Sequence, residues 1–420
     1  MLWHRPRSAG ARTAGLLAAI AVAGLLAPAS LAAQVRALHF RSAWDGAAVI
    51  PDAVVVVDGN RIVRVGRGIA SAPAGAEVVD LTRYVGLPGL IDVHTHITYY
   101  WNREPGTNPR RQRRHPAVTV FLAQENARRT LESGVTTIRD LNASADMDQA
   151  MRDLVKMGKM TGPRMFVSGQ GLSARQEPPG PARMAEMAKE RLAAGDDWVK
   201  VFASRGGFED VTTTRTLTYD EIKAAVDATH AAGARIAVHS YGPEAAKDAV
   251  RAGADSLEHG TDLDDETIAE MKRRGTVYVP TIDHNRYYID AKDEYGFDPK
   301  AVPGLEAYIQ RNLATARKAW AAGVTFAMGS DAVYTMFGQN TRELGWFVKA
   351  GMTPAEALTA ATVNGARLLG QEAELGRLAP GYLADIIAVE GDPLADIEDV
   401  FTGVRWVMAD GRVAVDGRAK

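Results

Sequence analysis

The sequence predicts an α/β protein: a (β/α)8 TIM barrel carrying a small β-sandwich domain built from both termini. Three observations predict it. Apolar strand-like runs alternate with helical patterns across the middle of the chain. Short β-rich stretches with turn residues occupy both ends. Imidazoles, a lysine and an aspartate recur where the middle strands stop.

The first element is a targeting segment. Arg5, Arg7 and Arg12 precede an Ala/Leu-rich run from about Ala14 to Ala27, and small residues follow. This is a signal-peptide pattern with cleavage near Ala32 or Ala33. The run is shorter than the ~20 residues of a membrane span, and a chain without cysteine offers no site for a lipid anchor. The expectation is export, periplasmic or secreted, with no membrane anchor after signal cleavage. Cleavage removes three of the 49 basic residues and none of the 51 acidic ones, which moves the net charge from −2 to about −5. That balance gives no reason to expect nucleic acid or an anionic membrane as a partner. Without cysteine there are no disulfides, and any metal site must use His, carboxylates or a modified Lys.

The two ends read alike. Val54–Val57 and Arg61–Val65 flank Asp58-Gly59-Asn60, a hairpin turn that wants positive φ. Tyr382–Val389, Val404–Met408 and Val413–Val415 are strand-like, with Asp410-Gly411 as a turn. The expected division is a signal peptide over 1–33, a β-sandwich from 34–86 and 366–420, and a barrel over 87–365. Within the barrel the candidate strands are Leu87–His96, Gly134–Leu141, Pro163–Gln170, Asp197–Ser204, Arg235–Gly242, Ser256–Thr261, Val277–Ile282 and Thr325–Ala332. Thr218-Tyr219-Asp220-Glu221 is a capping box, and Thr353-Pro354-Ala355-Glu356 adds Pro at the first helical position. An open doubly wound sheet does not explain why metal-type residues end so many of these strands.

His94 and His96 close an apolar strand. Alternation points them the same way, so facing into a barrel they share reach to one metal. His239 and His259 each end an apolar run, where a single His is more often a hydrogen-bonded core imidazole. Lys200 lies within Trp198-Val199-Lys200-Val201-Phe202 and is expensive to bury unpaired. It pairs with an acid, is chemically altered, or snorkels to water. Asp331 ends the last strand, where a cation, a cap or a turn explains it equally. Trp198 shares the parity of Lys200 and reads as packing. Tyr99, Tyr100 and Trp101 follow the His pair at the pocket entrance. His284 reads as a solvated loop His or as one that reaches substrate, the arginine-rich stretch at His115 as a solvated face or a carboxylate attractor, and His230 ends a helix, where a cation suits the dipole.

Four His, one Lys and one Asp at successive strand ends form a set that resembles the amidohydrolase superfamily over nearly the whole mature chain. Gly86-Leu87-Pro88-Gly89-Leu90-Ile91-Asp92-Val93-His94-Thr95-His96 and the tail Gly376-Arg377-Leu378-Ala379-Pro380-Gly381-Tyr382-Leu383-Ala384-Asp385 carry the resemblance. Trp198-Val199-Lys200-Val201, His239-Ser240-Tyr241-Gly242 and Leu257-Glu258-His259-Gly260-Thr261 look like the imidazolonepropionase-like and Xaa-Pro-dipeptidase-like branch, with prolidase and ochratoxin-amidase neighbours. The resemblance implies two divalent metal ions, zinc by default for imidazole-rich sites. His94, His96 and Asp331 would hold one ion and His239 and His259 the other. Lys200 would bridge them as a CO2-derived carbamate. It further implies that a hydroxide between the ions attacks an amide carbonyl while Asp331 moves the proton to the leaving amine. Tyr241, near the barrel mouth, binds the carbonyl oxygen or a substrate carboxylate or simply packs, and His284 and Tyr99 are further candidate substrate contacts.

The expected substrate is a small-molecule amide: a dipeptide, a carboxypeptidase-type substrate or an N-acyl amino acid. The expected assembly is a homo-oligomer. Three alternatives compete. A mononuclear deaminase or cyclic amide/amidine hydrolase would place Glu three residues after the fifth-strand His, where this chain has Gly242, with Glu244 nearby. A lactone or ester hydrolase uses the same nucleophile. A non-catalytic binding protein would have lost ligands that are present here. The loop Ser173-Ala174-Arg175-Gln176-Glu177-Pro178-Pro179-Gly180 departs from the Gly-Gly-His type found in relatives of this branch, so a substrate contact from it does not carry over.

Overall fold

The computed structural model describes residues 35–104, 113–174, 178–206, 214–296 and 298–418. The expected signal peptide, residues 110–112 of the arginine run and 175–177 of the loop after the third strand lie outside them.

Valine-rich runs turn both ends of the chain into one sheet. Its strands are β1 (Arg36–Trp44), β2 (Val49–Pro51), β3 (Ala53–Asp58), β4 (Arg61–Arg67), β5 (Glu77–Pro88) and, from the far end, β14 (Ile386–Val389), β15 (Val404–Ala409) and β16 (Arg412–Asp416). The order is β16-β15-β14-β5-β1-β3-β4, with β2 on β1. β5 pairs parallel with β1 and antiparallel with β14, which ties the two ends together. Gly59 supplies the positive φ, 60°, that the β3–β4 turn requires. Leu38, Phe40, Val55, Val57, Ile386 and Trp406 belong to a core of this sheet's own. The strand expected over Tyr382–Val389 begins only at Ile386.

The middle of the chain forms two parallel sheets. One holds β6 (Leu90–Thr95), β7 (Val135–Asp140) and β8 (Arg164–Val167) in that order. The other holds β9 (Leu172–Ser173), β10 (Trp198–Phe202), β11 (Arg235–Ser240), β12 (Ser256–His259) and β13 (Val277–Val279), also in sequence order. The expected first strand is split between β5 and β6 at Gly89. A Cβ there would sit 2.1 Å from Thr136 Oγ1, and the Gly89 N–H bonds the Asp385 carbonyl of the terminal segment at 2.7 Å. Leu90 then starts a fresh ladder with β7.

Thr325–Ala332, expected as the eighth strand, keeps an extended path without a regular ladder. On one side it bonds Tyr278 through Thr325 O and Ala327 N, at 2.9 and 3.1 Å. On the other it bonds β6 through Met328 O and Asp331 N, at 2.8 and 2.7 Å, and His96 just past β6 through Ala332 O, at 3.0 Å. Asp331 adopts φ 53°, which interrupts any ladder. The segment nevertheless joins the two parallel sheets on that side. On the other side the Asp197 N–H bonds Val167 O at 2.9 Å.

Strand parity sorts the side chains. Val199, Val201, Ile236 and Val238 pack into the main core with the helices. Trp198 and Ala237 have the opposite parity and join Ile91, Val93, Val279 and Ala327 in an inner cluster. Lys200 and His239 share that inner parity. Both expected capping boxes are present: the Thr218 and Thr353 hydroxyls accept the N–H of Glu221 and Glu356, whose carboxylates bond back. One expectation is corrected. β13 stops at Val279, and Thr281, at φ 50°, leads into helix Ile282–Asp290. His284 therefore sits buried on a helix and not in a solvated loop.

Candidate metal centre

His94 comes from β6, with His96 just past its end. Lys200 comes from β10, His239 from β11, His259 from β12, and Asp331 from the segment that bridges β13 and β6. All six are buried. The rings of His94 and His259 lie 5.3 Å apart, those of His239 and His259 4.5 Å, and those of His94 and His96 5.5 Å. Single ligand atoms of His94, His259 and Asp331 lie within 4.8 Å of one another. Asp331 Oδ1 is 3.0 Å from His96 Nε2 and 3.6 Å from His94 Nε2.

The protonation chemistry fits a cation. Burial lowers the His94 imidazole to about 4, helped by the charge of Lys200, and burial holds His239 and His259 well below the usual imidazole range. These rings are neutral donors. Burial works against the Asp331 carboxylate, but the facing His284 and the hydrogen bond from His96 outweigh it and hold it well below the usual carboxylate range. Among the described residues, His239 Nε2, His96 Nδ1 and Lys200 Nζ are buried with no hydrogen-bond partner. Such orphans are costly unless a group outside the chain satisfies them. Lys200 is 1% exposed, and burial drops its ammonium to about 8 in spite of Glu258 and Asp331. An imidazole-rich pocket with one carboxylate and a buried lysine that has no hydrogen-bond partner fits a divalent metal.

The other donors are oriented from behind. His94 Nδ1 bonds Glu258 Oε2 at 2.7 Å, and His259 Nδ1 bonds Thr281 Oγ1 at 2.7 Å, so each ring turns Nε2 inward. Asp92 accepts the N–H groups of His94 and Ser330, the Ser330 hydroxyl and the Asn340 amide, which clamps the Asp331 segment to β6. Sequence reasoning assigned no role to Asp92, Glu258, Arg139 or Thr281. The first three carried the signal that singled out Lys200: a charged side chain within an apolar strand run.

A cavity of about 150 Å³ opens over the cluster, walled by Tyr99, Phe202, Tyr241, Tyr288, Val333 and Tyr334. Tyr241 stacks on His259 at 4.6 Å, and Tyr99 stacks on His96 at 4.7 Å while its hydroxyl accepts from Asn142 at 2.7 Å. His284 also lines the cavity. Its Nδ1 donates to the Asp331 carbonyl at 2.8 Å, and its Nε2 is 3.4 Å from the Asp331 carboxylate. Trp101 is buried in the main core and, like Tyr100, is not among the lining residues. Trp198 packs as expected, under the Arg139 guanidinium at 4.4 Å. His115 caps helix Pro116–Glu132 by accepting from Ala117 N, and His230 pairs with Asp255 at 2.9 Å near its helix end. Both stand apart from the cluster.

Residues 85–414 match the amidohydrolase family, and the chain belongs to it. It is a hydrolase of carbon–nitrogen bonds, and its family generally binds divalent metals. A solved structure of a Xaa-Pro dipeptidase with methionine bound in its active site is 31% identical, with a TM-score of 0.81 over 90% of this chain and 99% of that one. Ochratoxinase of Aspergillus niger is 29% identical over 354 residues, 74% of this chain and 71% of the relative. Imidazolonepropionase of Streptomyces avermitilis is 26% identical over 383 residues, 80% of each chain. These likenesses give the chain a TIM-barrel-like α/β fold.

Proposed function

We propose that the protein is an exported, binuclear amidohydrolase that cleaves a dipeptide, a carboxypeptidase-type substrate or an N-acyl amino acid. The observation that carries this reading is Lys200, buried without a hydrogen-bond partner among imidazoles of neutral character. His94, His96 and Asp331 would hold one ion and His239 and His259 the second, with Lys200 as a carbamate completing the donor set. Zinc is the ion that suits an imidazole-rich donor set. The parallel sheets act as one closed (β/α)8 barrel over 87–365, the terminal sheet curls as a sandwich over 34–86 and 366–420, and residues 1–33 are the signal that sends the chain to the periplasm or outside. The protein works as a homo-oligomer.

When bound, the metals supply a water of lowered pKa and polarise the scissile carbonyl. The chain does the rest. Asp331, beside His284, would accept the proton of the attacking water as the new C–O bond forms, and return it to the leaving amine as the C–N bond breaks. Tyr241 and Tyr99 line the cavity, so their ring faces exclude water and flank the substrate. The Tyr241 hydroxyl orients the carbonyl oxygen or a substrate carboxylate. Aromatic walls suit a ring-bearing residue, such as the proline of an Xaa-Pro dipeptide.

The test is metal content. Protein purified in bicarbonate is analysed for metal beside Lys200→Ala. Close to two ions per chain, falling sharply in the variant, is expected. One ion per chain in both proteins refutes the bridged two-metal centre.

A further inference from the structure

We propose that Arg139 and Glu258 are positioning residues that fix His94 as a metal donor through a buried chain of hydrogen bonds. The proposal rests on the metal-dependent reading above, because orienting His94 matters only if the centre binds an ion.

Arg139 lies on β7 and is fully buried. Its side chain crosses the space enclosed by the inner faces of the strands. Nε donates to the Val93 carbonyl of β6 at 2.6 Å, and one terminal nitrogen donates to Ser256 Oγ of β12 at 3.0 Å. The other donates to Glu258 Oε1 at 2.8 Å, and the guanidinium lies over Trp198 of β10 at 4.4 Å. Glu258 Oε1 also accepts the Ser256 hydroxyl at 2.5 Å, and Oε2 accepts His94 Nδ1 at 2.7 Å. Oε1 is taken up by donors from Arg139 and Ser256, so Glu258 faces His94 as an acceptor through Oε2 and the imidazole proton sits on Nδ1. The free lone pair of His94 is then on Nε2, facing Asp331. Neither Arg139 nor Glu258 lines the cavity, so neither touches substrate.

A purely structural role explains this chain poorly. A buried ion pair brings little or no stability over apolar side chains of the same volume, because desolvation offsets the attraction. Apolar residues at 139 and 258 would fill the same space. What they would not supply is a fixed carboxylate behind His94. Partners of this kind, which orient a metal-binding imidazole, typically change metal affinity about 10–100-fold.

The test titrates cobalt(II) into metal-free, full-length protein in bicarbonate, read by visible absorption, beside circular-dichroism melting of the same metal-free samples. The variant is the double substitution Arg139→Met with Glu258→Gln, which leaves neither charge buried alone. Cobalt binding weakened about 10–100-fold, with metal-free melting within about 4 °C of wild type, is expected. Wild-type cobalt affinity in the folded double variant overturns the proposal. Should that variant fail to fold, Glu258→Asp keeps the ion pair and withdraws the carboxylate from His94 by one methylene. Weaker cobalt binding there supports the proposal, and unchanged binding overturns it. A wild-type protein that binds no cobalt refutes the metal-dependent reading itself. Binding by wild type and variants alike refutes only the positioning role.

Discussion

Gly329 lets the Asp331 segment pass close to His94, and Gly329→Ala tests whether that approach sets the site's geometry. A Cβ at Gly329 would lie 2.4 Å from Val279 Cγ1 and 2.8 Å from His94 Cβ. Carbon atoms settle at ~3.5–4.0 Å, so the segment must retreat by roughly 1 Å. His94 Cβ cannot give way, since its ring is held by Glu258 and its backbone by Asp92. The retreat stretches the Val93–Met328 and His94–Asp331 hydrogen bonds, now 2.8 and 2.7 Å. Overpacking costs about 1–3 kcal/mol, and weakening two bonds adds about 1 kcal/mol. The expected loss is about 2–4 kcal/mol in urea denaturation of the metal-free protein, with weaker metal uptake because Asp331 moves away from His96. Gly304→Ala is the control. Nothing lies within 4 Å of a Cβ there, and helix Val302–Ala321 should gain up to about 1 kcal/mol. A Gly329→Ala protein with wild-type midpoint and metal uptake refutes the reasoning.

Asp92→Ala leaves the His94 and Ser330 N–H groups and the Asn340 amide without their acceptor. At about 1–3 kcal/mol per buried donor, the loss should be at least about 3 kcal/mol by urea midpoint, and a loss under 1 kcal/mol contradicts the clamp. Asp148 tests pH dependence away from the centre. Burial raises its carboxyl from the usual 3.8 to about 6. The folded state thus holds this proton more tightly than the unfolded chain, and the stabilisation present below pH 4 is lost as the pH climbs through 6. Wild type should therefore lose roughly 3 kcal/mol relative to Asp148→Asn between pH 4 and 7. A difference that stays flat across a pH series of urea melts rules this out. Thr218→Ala removes one half of a capping box and should cost about 1 kcal/mol in thermal denaturation without altering metal content.

Periodicity made most of the fold legible. Alternation at Trp198-Val199-Lys200-Val201 sends Val199 and Val201 to the main core and leaves Trp198 with the inner cluster, as parity requires. Turn chemistry marked Gly59, and the capping boxes marked both helix starts. Legibility failed where tertiary contacts overrode local pattern. Leu87–His96 reads as one apolar strand, yet it serves two sheets, because Thr136 crowds Gly89 and Asp385 takes its N–H. Thr325–Ala332 reads as a strand, yet the positive φ of Asp331 interrupts its ladder. Val277–Ile282 ran too long because Thr281 turns left-handed, and no single-residue preference marks a threonine for that.

The candidate site divides along a different line. Spacing and strand ends picked out the imidazoles, and the structure brings His94, His96, His239 and His259 into one buried cluster with Lys200 and Asp331. The residues behind them escaped notice because an acid or an arginine in an apolar run, taken singly, is as well explained by a turn or a salt bridge. Their meaning is collective. Arg139 alone is an expensive burial and Glu258 alone is another, but Arg139 holds Glu258 and Glu258 holds His94, which gives both a reason to be inside. Asp92 repeats the pattern, as a buried carboxylate surrounded by donors from the two segments that must stay in register. Lys200 completes it as the one buried charge for which no neighbour among the described residues offers a hydrogen bond. A charge that the chain leaves unanswered, beside charges that it answers fully, marks where a group from outside the chain belongs.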